Sequence, residues 1–155
     1  MDNYLLLKSI HLLGVVIFLG NIIVTAVWKI LADRTRSPEI VAYAQRLVTL
    51  TDFAFTAVGV VLILVTGEMM AARFGGVDAA PWISWGRWLF AASGVIWIAV
   101  LLPVQVWQAR LAKGFAASGA IPSRYRTLSK VWTVFGTAAT LLPLASLYIM
   151  VFKPA

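Results

Sequence analysis

The chain has 155 residues, of which 61% are hydrophobic and 12% charged, and its formal net charge is +7. That is far more apolar than a water-soluble domain and too short for more than one compact unit, so it reads as an integral membrane protein. It has no cysteine, which excludes disulfides and thiolate metal sites.

Four runs are long enough for helices that cross about 30 Å of hydrocarbon, which takes roughly 20 residues each. They cover approximately 4–31, 53–72, 88–107 and 131–152. They are continuous stretches of Leu, Ile, Val, Ala, Phe and Trp, not the alternating segments of about ten residues that build a barrel. The expected fold is therefore all-α, an antiparallel bundle of four transmembrane helices. The first run lacks a positive n-region and a small-residue cleavage site, so it reads as a retained helix and not a signal peptide.

That first run, YLLLKSIHLLGVVIFLGN, carries Lys8, the chain's single histidine His11, and Asn21. Every third or fourth position gives Tyr4, Leu7, His11, Gly14, Phe18, Asn21, Thr25 and Trp28, one stripe of polar and small residues on an otherwise aliphatic helix. Lipid offers no hydrogen bonds, so the stripe should face the bundle. The same spacing yields Asp52, Thr56, Gly59, Ile63, Thr66 and Met70 in the second helix. The third gives Arg87, Ala91, Gly94, Ile98, Leu101, Gln105 and Gln108, and the fourth Lys130, Thr133, Thr137, Thr140, Leu144 and Leu147. Close packing is expected at Gly14, Gly59 and Gly94, and kinks at Pro103 and Pro143.

The connections are short. Ser37-Pro38-Glu39 reads as a helix start, with Ser37 as N-cap and Pro38 in the first helical position. It opens a short amphipathic segment before the second span, either an interfacial helix or an extension of that span. Trp82, Trp85 and Trp88 read as an interfacial belt. Nine of the thirteen Lys and Arg residues lie in the connections between helices one and two and between three and four. The positive-inside rule then places those connections in the cytoplasm and both termini outside. The charge is accounted for by topology and contact with anionic lipid, not by nucleic acid.

Depth divides the polar residues. His11, Thr66, Met70, Arg87 and Glu68 fall in the outer half; Asn21, Thr25, Asp52, Gln105 and Lys130 fall in the inner half. Asp52 and Lys130 are an ion-pair or proton-carrying candidate between helices two and four, and the plainer reading, which is preferred, leaves Asp52 at the membrane interface. An ionisable group such as His11 inside a membrane is a functional candidate by default, and its plainer role is a hydrogen bond to Tyr4, Thr66 or a backbone carbonyl.

The Lys8-Ser9-Ile10-His11 entry into a four-helix membrane protein, together with GRWLFAASGVIWIAVLLP, resembles an uncharacterised bacterial inner-membrane family related to the HemJ and CopD groups. HemJ-type proteins oxidise protoporphyrinogen IX and are associated with haem, and their first-helix Lys-x-x-His maps onto Lys8 and His11. The sharp reading of His11 is an axial ligand to haem b or a porphyrin, with Met70, a second copy's His11 or nothing opposite; Lys8 and Arg87 would pair with the propionates, their plainer role being interfacial anchoring. The chain departs from that pattern at Val27-Trp28-Lys29, where a Tyr-His pair is expected, and at Arg87 and Ser93, where the third helix would offer lysine.

Two other classes compete. One is a non-catalytic accessory subunit, in a homo-oligomer or larger membrane complex, whose polar seams only hold the bundle together. The other is copper handling through His11, Met69 and Met70, although neighbouring methionines point about 100° apart on a helix. The chain is poor material for hydrolytic chemistry, with no paired carboxylates, no phosphate loop and no nucleophile–base pair apart from scattered Ser and Thr.

Overall fold

The computed structural model of the protein describes residues 3–154, apart from the side chains of Ala116 and Ala117. Four long helices run antiparallel: α1 (Asn3–Thr35), α2 (Pro38–Arg73), α3 (Pro81–Ala112) and α4 (Ser123–Phe152). Each is long and apolar enough to cross a membrane, so the chain is a multi-pass integral membrane protein. Leucines and valines such as Leu13, Val16, Val61 and Val95 are exposed on the outer faces, as expected of a bundle surrounded by a bilayer.

All four helices outrun the apolar segments read from the sequence, because their polar ends continue the helix beyond the hydrocarbon. The amphipathic stretch is the extension and not a separate helix: Ser37 precedes Pro38 and the chain stays helical to Arg73. A one-turn helix at Phe115–Ser118 sits in the connection from α3 to α4.

Two wide π-type turns interrupt the ladders, at Asp52–Thr56 in α2 and Trp97–Leu101 in α3. The second precedes Pro103. That proline has no N–H for the carbonyl of residue 99, and its ring would press on it, so a widened turn relieves the clash.

Contacts divide the bundle along its length. Toward the end that carries the termini, α1 packs on α2 and α3 packs on α4. Toward the end that carries the basic connections, α2 packs on α3, and α1 reaches α4. At the terminal end Tyr4, Phe74 and Trp82 meet edge to face, with Lys153 5.0 Å over the Trp82 ring. Trp85 and Trp88 face outward, as a membrane-interface belt requires.

The α1–α2 seam closes on glycine, as expected for Gly14 and Gly59. A Cβ on Gly59 would stand 2.8 Å from Phe18 Cβ and 3.1 Å from the Gly14 carbonyl oxygen. Gly94 does not do this, since a Cβ there would meet nothing within 4 Å. The close approach between α3 and α4 is instead at Gly86, against Met150. Serines stitch the same pair: Ser93 Oγ donates to the Ala139 carbonyl at 2.7 Å, and Ser146 Oγ to the Gly86 carbonyl at 2.9 Å.

Two of the four stripes need correction. In α3 the residues buried before the π turn are Ile83, Gly86 and Ser93, and those at and after it are Leu101, Gln105, Gln108 and Ala112. The extra residue of the π turn rotates the most buried face by about one position, which leaves Arg87 exposed outside it, while Ala91, Gly94 and Ile98 of the expected stripe border the open space between the helices. In α4 the buried face is Tyr125, Trp132, Ala139, Pro143 and Ser146, one position from the expected stripe. Thr133, Thr137 and Thr140 each bond a carbonyl of their own helix four residues back, so their hydroxyls need no neighbouring helix. Lys130, Thr137 and Leu144 are exposed.

Candidate functional site

Where the two helix pairs diverge, the bundle encloses a cavity of about 540 Å³ lined from all four helices. Its walls are apolar, including Phe18 and Ile22 of α1, Phe90 and Trp97 of α3, and Trp132 of α4. Gly94 and Gly136, which carry no side chain to fill it, also border the space. Its rim includes Ile23, Val27, Ile98 and Leu141, all exposed, so it opens sideways on the lipid-facing surface. Thr25, Asp52, Thr56 and Gln105 form a polar patch in this lining.

The patch is built around the π turn of α2. A π turn loosens the carbonyl ladder, and Asn21 Nδ2 of α1 donates to the Thr51 carbonyl at 3.3 Å. The same amide donates to Thr56 Oγ1 at 2.8 Å and lies 3.4 Å from Asp52 Oδ1, to which Thr56 Oγ1 donates at 3.0 Å. Gln105 of α3 borders the same patch as Asp52, and its Oε1 has no partner in the chain. Thr25 is tied to its own helix through the Asn21 carbonyl at 2.7 Å. Five of the six expected seam residues are thus placed inside the bundle, four of them (Asn21, Thr25, Asp52 and Gln105) in this cluster. Lys130, the sixth, is exposed and makes no ion pair with Asp52.

Thr66, the fifth, partners His11. His11 Nδ1 lies 3.0 Å from Thr66 Oγ1, and the Thr66 hydroxyl donates to the Leu62 carbonyl. A hydroxyl has one proton, so Nδ1–H donates to Thr66 and the lone pair is on Nε2. The other members of the expected outer site are dispersed. Lys8 is exposed, Met70 is half-buried one turn beyond Thr66, and Met69 faces outward. Arg87 pairs with Glu68 across α3 and α2 at 3.1 Å. His11 is absent from the cavity lining. Among the described residues no group of three or more His, Cys, Asp or Glu side chains is arranged to hold a metal ion.

A second polar cluster, not expected from the sequence, lies toward the basic end. Lys29 is 1% exposed, and its ammonium donates to Asp33 Oδ2 at 2.9 Å, the Tyr125 hydroxyl at 3.2 Å and Ser129 Oγ at 3.3 Å. Ser129 also donates to Asp33, and the Tyr125 hydroxyl faces both Asp33 Oδ1 at 3.3 Å and Gln45 Oε1 at 3.2 Å. The Tyr125 and Trp132 rings lie 5.2 Å and 5.3 Å from the ammonium. In the sequence Lys29 counts only as a loop cation, because the first apolar run ends close to it at Leu31. The signal that could have found it is the i, i+4 spacing of Lys29 and Asp33.

No curated protein and no solved structure matches this chain. Residues 5–154 match the family described as "Predicted integral membrane protein (DUF2269)". A match over nearly the whole length of this four-helix membrane protein places the chain in the DUF2269 family.

Proposed function

We propose that the protein binds a lipid-soluble molecule with a hydrogen-bond-donating head, taken from the bilayer into the cavity between its four helices. The observation that carries this reading is the 540 Å³ space with Asp52 and Gln105 in a mostly apolar wall. A ligand's apolar body would bury against Phe18, Phe90, Trp97 and Trp132, and its head would meet the carboxyl and the amide. Small-molecule sites have this composition, mostly apolar with a few placed polar groups. By the positive-inside rule the basic end lies in the cytoplasm, which puts both termini outside and the mouth of the cavity within the membrane. The resemblance to bacterial inner-membrane proteins supports that location. The test is whether the purified protein retains such a molecule and whether Gly94→Phe, which fills the cavity, expels it.

A second reading keeps haem or a porphyrin at His11, and one observation favours it: Thr66 occupies Nδ1 and leaves the Nε2 lone pair for an axial bond. A haem iron there would supply one-electron redox chemistry, while the chain's part is to fix the imidazole tautomer and orientation. Arg87 is half exposed and pairs with Glu68 at 3.1 Å, a weak surface pair that a propionate would have to replace. Protoporphyrinogen oxidation belongs to this reading through the resemblance to the HemJ group. Absorption spectra of air-oxidised and dithionite-reduced protein, with hemin added, test it. A Soret band in the wild type that His11→Ala abolishes supports it, and featureless spectra from both end it.

A further inference from the structure

An open cleft of about 800 Å³ lies at the basic end, mainly between the end of α1 and the start of α4. Arg34 and Arg36 line it from the α1 side, and Arg126 and Lys130, one helical turn apart, from α4. All four are exposed, and none makes an ion pair among the described residues. The one carboxylate in the lining, Asp33, is already engaged: Lys29 and Ser129 bond its Oδ2, and the Tyr125 hydroxyl bonds its Oδ1. Lys29 cancels the Asp33 charge, so the cleft presents four cations and no unpaired anion.

Arg36 is a second, independent sign. It follows the end of α1 at φ 56°, a left-handed conformation that helix ends usually give to glycine or asparagine. The turn alone would be better served by glycine; what arginine adds is a guanidinium at the border of the cleft.

Depth separates two kinds of ligand. The four cations flank the apolar runs 4–31 and 131–152, at the level where headgroups lie, whereas Ile30, Thr133 and Val134 line the cleft from within those runs. Ile30 and Thr133 also border the membrane cavity, and Val134 is exposed on the lipid-facing side, so the floor of the cleft is continuous with hydrocarbon. A free phosphate would use the cations and leave this floor idle. A phospholipid uses both.

We infer that the cleft is a binding site for an anionic phospholipid, with its phosphate among Arg34, Arg36, Arg126 and Lys130 and an acyl chain starting along Ile30 and Val134. Guanidinium groups match phosphate oxygens in paired hydrogen bonds, and basic pockets between membrane helices hold anionic headgroups in this way. Diffuse attraction of a basic face for anionic lipid depends on total charge, whereas this site depends on which cations supply it. It is independent of the molecule that occupies the cavity.

Native mass spectrometry of the detergent-purified protein, titrated with phosphatidylglycerol or phosphatidylcholine, tests the site. The wild type should hold one phosphatidylglycerol about tenfold more tightly than phosphatidylcholine, and Arg126→Gln with Lys130→Gln should weaken that binding about tenfold. Arg110→Gln with Lys113→Gln, the same loss of charge at the basic end of α3 but outside the cleft lining, should change it by less than about twofold. Arg36→Gly removes one cation while suiting the turn, so binding about fivefold weaker by a protein at least as stable is expected, and misfolding cannot account for it. Equal weakening by the two double variants, no preference for phosphatidylglycerol, or an Arg36→Gly that binds like the wild type would overturn the site. Displacement of the lipid by an equal concentration of free glycerol phosphate would assign the cations to a soluble phosphate and overturn the lipid as occupant.

Discussion

Asp33→Asn is expected to destabilise the detergent-solubilised protein by about 3 kcal/mol, measured as the free energy of unfolding in a denaturing-detergent titration. The substitution leaves the Lys29 ammonium 1% exposed and without its counter-ion, and removing one partner of a buried pair costs about 3–5 kcal/mol. The lower figure applies because the Asp33 side chain is 23% exposed and water offsets part of the loss. The double change Lys29→Met with Asp33→Leu should cost much less than Asp33→Asn, since it leaves no unpaired charge behind. Equal losses for the single and double variants would mean that the cluster acts through packing and not through charge.

Gly59→Val carries the next largest expected loss, about 3 kcal/mol by the same titration. At 2.8 Å from Phe18 Cβ and 3.1 Å from the Gly14 carbonyl oxygen, even one carbon at Gly59 meets atoms on the facing backbone and at a first side-chain carbon. Neither can swing aside, so α1 must shift away from α2 and the Asn21 clamp on the π turn shifts with it. Gly94→Ala is the control, with an expected change within about 0.5 kcal/mol, because a Cβ there has nothing within 4 Å. A neutral Gly59→Val would contradict the close seam.

Hydrophobic run lengths and turn residues made the four spans and their antiparallel order legible in the sequence, because lipid imposes so strong a rule on backbone and side chains. Helical spacing alone located the α1 and α2 faces, including the close-packing positions Gly14 and Gly59 and the inward-facing Asn21 and Asp52, but not which residue meets which. It failed where the spacing itself changes. The Trp97–Leu101 π turn, set ahead of Pro103, rotates the first half of α3 and withdraws Arg87 from the seam. In α4 the threonines border the cavity but satisfy their hydroxyls on their own helix, while Trp132 and Ser146 take the buried positions. His11 with Thr66 could be anticipated from depth and face. The cavity could not, because it is the space left where two helix pairs diverge, and no single helix encodes it. Lys29 was hidden because a cation near a basic connection reads as an orientation signal until Asp33, Tyr125 and Ser129 are seen around it.

The central claim, that the space between the helices is a binding site, is tested most directly by native mass spectrometry. The protein would be released from membrane nanodiscs cut from its own membrane, wild type beside Gly94→Phe. The account predicts one apolar molecule bound at unit stoichiometry to the wild type and lost from an equally helical Gly94→Phe. A wild type carrying only bulk lipids in membrane proportion, or the same molecule retained on Gly94→Phe, would contradict it.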